Sequence, residues 1–376
     1  MNKNINVNFV DLSRQRSRLD GAIEKAINTV LEHGKYIHGP EVSQFEEDVK
    51  DFCDVSNVVA CANGTDALSL TLMANNIKQG DVVFVPSFTF TSTAEVVCLA
   101  GADPYFIDVT EDTYNIDVED LIENIKEAER KGLNSKAVIT VDLFGLPADY
   151  DRLESVCKEY GLLLIVDAAQ SFGSVYKERK TGALGDITTT SFFPAKPLGC
   201  YGDGGAILTN DDVVADKLRS LRVHGKGTDK YDNIHIGMNS RLDTLQAAIL
   251  IKKLKIYADE IISRNRIAST YSSALCDDVI TPFVPEGLIS VWAQYTIQLE
   301  EKQREIVISS LKEKGIPSAI YYPKPLHLQT AYQSFLSSVN GMDVSEKLSK
   351  KCLSLPMHPY LTGEEQEFVI ESIKSA

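Results

Sequence analysis

From about residue 58 to residue 209, short apolar runs of strand length alternate with stretches whose apolar residues recur every three or four positions. The clearest unit is Ala137-Val138-Ile139-Thr140-Val141, then a helical stretch near 149–160, then Leu162-Leu163-Leu164-Ile165-Val166 closed by Asp167. In the middle stretch Leu153, Val156, Cys157 and Tyr160 fall at i, i+3, i+4 and i+7, which places one helical face against a sheet. Continuous apolar runs predict strands covered on both sides, hence a mostly parallel sheet between two layers of helices. Residues near 12–32 predict an amphipathic helix, and Gly39-Pro40 ends an entry loop. A longer helical pattern from about Leu242 to Thr270 leads away, its apolar face beginning with Leu245, Ala248, Ile249 and Lys252. It predicts a bridge to a smaller α+β unit containing residues 291–299. The expected division is a large α/β domain over 1–250 and a small domain over 251–376.

Three segments on this frame carry candidate chemistry. Lys196 lies in Ser191-Phe192-Phe193-Pro194-Ala195-Lys196-Pro197-Leu198-Gly199, with Gly202, Gly204 and Gly205 following. Partial desolvation among aromatic and proline side chains favours the free amine, a nucleophile towards carbonyl carbon. A buried lysine paired with a carboxylate, or a surface loop lysine, is the ordinary alternative. Asp167 ends an apolar strand, where open α/β sheets bind ligands; the alternative is a cap for a short helix beginning at Ala168. A carboxylate there is what a pyridine nitrogen needs to stay protonated and make its ring an electron sink. Asn63-Gly64-Thr65 turns into a helical pattern whose free amides suit a phosphate. The same residues also read as an ordinary N-cap by Asn63 or Thr65. Phe88 and Phe90 offer aromatic faces, either for a flat ring or for the core.

The order of these signals (anion turn, aromatic, strand-end carboxylate, lysine, glycines) resembles the pyridoxal-phosphate sugar aminotransferases of the DegT/DnrJ/EryC family. The resemblance runs over nearly the whole chain and is most specific at Asp167-Ala168-Ala169-Gln170-Ser171-Phe172-Gly173, at Ser191 to Gly199, and at Leu355-Pro356-Met357-His358-Pro359. It implies the PLP fold type I, aspartate aminotransferase-like, with a mostly parallel seven-stranded-type sheet. It further implies that Lys196 holds pyridoxal 5'-phosphate covalently and shuttles the proton, and that Asp167 pairs with the pyridinium nitrogen. Gln170 would bond the ring hydroxyl, Gly64, Thr65 and Ser191 would take the phosphate, and Phe90 (with Phe88 as substitute) would stack on the ring. Asn239 would reach the phosphate of a neighbouring subunit, which implies a homodimer with shared active sites. Dehydratase relatives carry histidine at the position of Lys196, so lysine here implies transamination from L-glutamate to a nucleotide-linked keto-sugar. Arg241 would face an anionic part of the substrate, or pair with Asp243; Tyr322 and His327 would border the sugar, or serve the core. The chain is most similar to the branch that aminates C3 of a UDP-linked 3-oxo-N-acetylglucosaminuronate for bacterial surface polysaccharide (O-antigen). Tyr321 stands where that branch has histidine, which keeps a dTDP-linked 3-keto-6-deoxysugar, and then a 4-keto sugar, as alternatives. A non-catalytic regulatory homologue is opposed by the presence of lysine, aspartate, glutamine and serine together.

Composition narrows the classes without choosing among them. The chain has 376 residues, 44% of them hydrophobic, enough for a large core. A formal net charge of −15, from 38 basic and 53 acidic residues, argues against nucleic-acid and anionic-membrane partners. Seven scattered cysteines without a CxxC pair predict reduced thiols, and six histidines without metal-ligand spacing predict no metal. Cys200, near Lys196, reads as a small buried thiol. With no signal-like or membrane-spanning stretch, a soluble cytoplasmic enzyme is expected. The glycine- and charge-rich segment after His224 is expected to be mobile or to cross toward a partner subunit.

Overall fold

The computed structural model of the chain describes residues 5–229 and 231–376. Its centre is an eight-stranded sheet. Across it lie Asn57–Cys61, Gly205–Thr209, Ile187–Ser191, Leu163–Asp167, Asn134–Val141, Asp81–Pro86, Asp103–Ile107 and Leu336–Ser337. Gly205–Thr209 runs against both its neighbours, and the remaining pairings are parallel. Asn57–Cys61, Asp81–Pro86 and Gly205–Thr209 are buried at every residue, and Asn134–Val141 and Leu163–Asp167 over their carboxyl-terminal parts, as their apolar runs require. Helices such as Gly64–Ala74, Val118–Arg130 and Tyr150–Tyr160 cover them. Leu153, Val156 and Cys157 enter the core beneath Tyr150–Tyr160, with Tyr160 packed at its margin.

Seven strands come from the alternating region, and the eighth was not foreseen. Leu336–Ser337, far along the chain, adds itself parallel to Asp103–Ile107. Two residues carry too little periodicity to read as a strand. The amphipathic stretch 12–32 is two helices, Leu12–Arg18 and Ala22–His33, because Asp20 and Gly21 both take left-handed backbone. No helix begins at Ala168; residues 169–173 form turns.

The long helix is Thr244–Leu275, and it runs through position 250 without interruption. Of the face read from Leu245, Ala248, Ile249 and Lys252, Ala248 and Ile249 are buried and Leu245 packs beside Ala248, while Lys252 stays at the margin. Residues 247–251 are buried all round, and Lys253 rather than Lys252 goes inside. That end lies beneath the helices Ala22–His33 and Pro40–Cys53 and the segment following Lys196, so no side of it meets solvent. Further on, Ile267, Tyr271 and Leu275 enter a second core with the two-stranded ladder Tyr295–Gln298 and Cys352–Leu355 and the helices Glu301–Glu313 and Gly363–Lys374. The amino-terminal segment is fastened to this part. Arg14 makes two bonds to the Glu365 carboxylate, at 2.8 and 2.6 Å, and one to the Tyr360 carbonyl at 2.9 Å. Among the described residues no helix is long and apolar enough to cross a membrane.

Candidate active site

At the carboxyl ends of the parallel strands lies a cavity of about 750 Å³, and both Lys196 and Asp167 line it. This is where a parallel α/β sheet leaves a crevice. Asp167 is the last residue of Leu163–Asp167, and its register partner on the next strand is Thr189. Its buried carboxylate accepts from Ala169 N–H at 3.1 Å and from the Thr93 hydroxyl at 3.3 Å. Burial pushes its pKa up, against those two bonds and the charge of Lys196. Lys196 sits in a turn closed by its own N–H and the Phe193 carbonyl, 2.8 Å apart. Burial pulls its ammonium down, with Asp167 acting in the opposite direction. The pair therefore offers an amine nearer neutrality and an anion lacking a close cation.

Sheet register builds the anion end of the cavity. Cys61 and Ser191 both pair with Gly205, one on each side. A side chain at 205 would run into the Asn63 carbonyl, and a Cβ at Gly64 would stand 2.7 Å from the Ser191 Cβ. The two glycines thus let the start of Gly64–Ala74 settle beside the Ser191 side chain. Asn63 caps that helix by accepting from Asp66 N–H at 2.8 Å. The cap uses neither the Gly64 nor the Thr65 amide, so the N-cap and anion-site readings hold together.

Gln170 is fixed by accepting from Phe144 N–H at 2.7 Å, and its amide donates to the Tyr322 hydroxyl at 3.3 Å. Both face the cavity, as does the half-exposed ring of Phe90. Phe88 is buried against Tyr114 and Tyr322 and stays in the core. Three expected residues lie elsewhere. His327 has both ring nitrogens engaged, by Ser87 at 2.6 Å and Glu346 at 3.3 Å, and stands outside the cavity. Asn239 is exposed and Arg241 half-buried, and neither lines the cavity of its own chain. Arg241 makes no ion pair among the described residues, with Asp243 or otherwise. Cys200 is fully buried, its thiol pushed up to about 11 by desolvation.

The cavity also gathers residues the sequence did not single out: Thr93 on Asp167, and Asp203, Gln294 and Gln329 in the walls. Thr93 follows Thr89 and Thr91 in a threonine-rich run, and nothing in the spacing separates them. Pyridoxal 5'-phosphate, the expected cofactor, fits what is present. The cavity has an amide-lined end that only glycines permit, an anionic carboxylate for a ring nitrogen, an uncovered aromatic face and a partly desolvated amine.

Residues 17–374 match the profile of the DegT/DnrJ/EryC1/StrS aminotransferase family. A Pseudomonas aeruginosa protein named UDP-2-acetamido-2-deoxy-3-oxo-D-glucuronate aminotransferase is 44% identical over 356 residues, covering 94% of this chain and 96% of its own. The crystal structure of a DegT DnrJ EryC1 StrS aminotransferase from Brucella abortus superposes with a TM-score of 0.97 at 51% identity, covering 98% of each chain. That of ntda from Bacillus subtilis with bound cofactor PMP gives a TM-score of 0.90 at 28% identity, over 100% of this chain and 86% of that one.

Proposed function

Because the chain belongs to the DegT/DnrJ/EryC1/StrS aminotransferase family, we propose that this pyridoxal-phosphate-dependent transaminase moves the amino group of L-glutamate to C3 of a UDP-linked 3-oxo-N-acetylglucosaminuronate. Its setting is the cytoplasm and its product serves a bacterial surface polysaccharide of O-antigen type. The observation that carries the reading is that Lys196 and Asp167 line one cavity at the strand ends. When bound, the cofactor supplies an electron sink for the substrate carbon that loses its proton.

The chain's own residues do the rest. Lys196, its ammonium disfavoured by burial, holds the cofactor and passes a proton from Nζ in each half of the reaction. Asp167 keeps a proton on the ring nitrogen opposite its carboxylate. Gly64, Thr65 and Ser191 orient the phosphate, Phe90 covers one ring face against water, and Gln170, held by Phe144 and Tyr322, bonds the ring hydroxyl.

Charge supports a homodimer. Among the described residues Lys196 is the one basic side chain lining the cavity, against Asp167 and Asp203. A cofactor phosphate, a glutamate and a nucleoside diphosphate need more positive charge than that. Arg241 of a second copy supplies it, Asn239 beside it adds an amide donor, and the exposed apolar Ile234 and Ile236 on the preceding segment suit burial between subunits. A second acceptor is favoured by the neutral wall of Gln294, Tyr321 and Tyr322, which suits a sugar without a carboxylate, such as a dTDP-linked 3-keto-6-deoxysugar.

The purified protein is expected to be yellow and to bleach with L-glutamate. Lys196→Ala is expected to lack the visible cofactor band and all turnover; normal turnover in that variant ends the proposal. Assays against UDP- and dTDP-linked 3-keto and 4-keto sugars choose the acceptor, and exclusive use of a 4-keto sugar overturns amination at C3.

A further inference from the structure

Two polar side chains of the Thr244–Leu275 helix grip the segment that follows Lys196, and the chemistry above uses neither. Gln246 accepts from Tyr201 N–H at 2.9 Å and donates to the Tyr201 carbonyl at 3.5 Å. Two turns along the same face, Lys253 is fully buried. It donates to the Gly199 carbonyl at 2.6 Å, and its Nζ lies 4.2 Å from the centre of the Tyr201 ring. Among the described residues no carboxylate comes within ion-pair distance of it.

Gly199 in turn bears on the turn that carries Lys196. A Cβ at 199 would stand 2.5 Å from the Pro194 carbonyl oxygen and 2.6 Å from that of Phe193. The Phe193 carbonyl is the group that accepts the Lys196 N–H. A continuous path of contacts therefore runs from Lys253 through Gly199 and Phe193 to Lys196. An ammonium buried without a counter-ion is a poor source of core stability, and an apolar side chain of similar shape serves the core at least as well. Burial pulls Lys253 down to about 8, which reflects that cost.

We infer that Lys253, together with Gln246, is a positioning residue for Lys196, fixing the Gly199–Tyr201 backbone so that the Lys196 amine is held at the strand-end carboxylate. The inference rests on the reading of Lys196 as the cofactor-bearing amine.

The test compares Lys253→Met, Gln246→Leu and Lys196→Ala with the parent enzyme. Steady-state kinetics, thermal melting and the rate at which cofactor-stripped full-length protein regains its visible band with added pyridoxal 5'-phosphate are measured. For Lys253→Met the expected result is a melting temperature equal to or above the parent's and KM values within twofold. With these, kcat and the capture rate should each fall about tenfold. Gln246→Leu should follow in the same direction. Unchanged kcat and capture in Lys253→Met overturn the inference, and so do losses that appear only with a lowered melting temperature. Failure of both variants to fold overturns it too, because the contacts would then serve the core. A visible band and normal turnover in Lys196→Ala would instead sink the reading of Lys196, whatever Lys253→Met does.

Discussion

Asp167 is enclosed by a threonine hydroxyl, one backbone amide and the more distant charge of Lys196. Such sparse company makes the carboxylate costly in the empty protein and valuable once a cationic ring nitrogen faces it. Asp167→Asn should therefore separate stability from catalysis. Melting of the cofactor-free variant should match or exceed the parent's, while kcat of the loaded enzyme falls by about 10²–10³-fold, the scale of losing a preorganised charge. A variant with parental kcat would show that the ring nitrogen does not depend on this anion. The same residue marks where sequence was informative. Asp167, Lys196 and the Asn63-Gly64 turn were legible because each announces itself locally, by a strand end, a desolvated lysine or a glycine start. His327 was not. Its two ring bonds go to Ser87 and Glu346, partners 240 and 19 residues away. Gln294 and Gln329 were silent for the same reason, since only tertiary docking turns them toward the cavity.

At the scale of elements, one capping interaction joins the two parts of the chain. Thr362 caps Gly363–Lys374 by accepting from Glu365 N–H at 3.2 Å, and Glu365 accepts from Thr362 N–H at 2.8 Å. The same carboxylate receives both bonds from Arg14. Thr362→Ala removes the hydroxyl that accepts from Glu365 N–H, while the Glu365 carboxylate keeps the backbone N–H of residue 362 and both bonds from Arg14. The expected cost is about 1 kcal/mol of unfolding free energy by denaturant titration, with kcat unaltered. A kcat that fell with it would tie this distant helix to the cavity. Apolar periodicity misleads where a helix has no solvent side. The Thr244–Leu275 helix is enclosed at its start, so a one-faced periodicity chose Lys252 over the buried Lys253. It also missed the break at Asp20-Gly21, which rests on backbone conformation rather than on apolar spacing.

For the molecule as a whole, two buried titratable groups oppose each other over one range of pH. Asp142 accepts from the Tyr150 hydroxyl, the Ser171 hydroxyl and Ala148 N–H, yet burial still raises its carboxyl from 3.8 to about 6. Its folded form binds the proton more tightly than the unfolded chain does, so its contribution is present at low pH and lost as pH rises through about 6. His358 is lowered from 6.5 to about 4, by burial first and Arg264 next. Its contribution is present above 6.5 and lost as pH falls toward 4. Each shift corresponds to about 3 kcal/mol at most. Relative to the parent, Asp142→Asn should gain melting temperature as pH rises from 4.5 to 6.5, and His358→Gln should gain it as pH falls. Parallel slopes in the two variants would contradict the assignment.

The stretch Leu326–Ser337 is tied back onto the cavity's rim. Leu326 N–H donates to the Ser87 carbonyl, Tyr332 meets Thr91, and Leu336–Ser337 joins the sheet edge. One wall of the pocket, Tyr321, Tyr322 and Gln329, is thus furnished by the last sixty or so residues, whereas the groups proposed for the cofactor come from much earlier in the chain. On the ribosome, the residues proposed for the vitamin would therefore emerge well before the segment that completes their pocket.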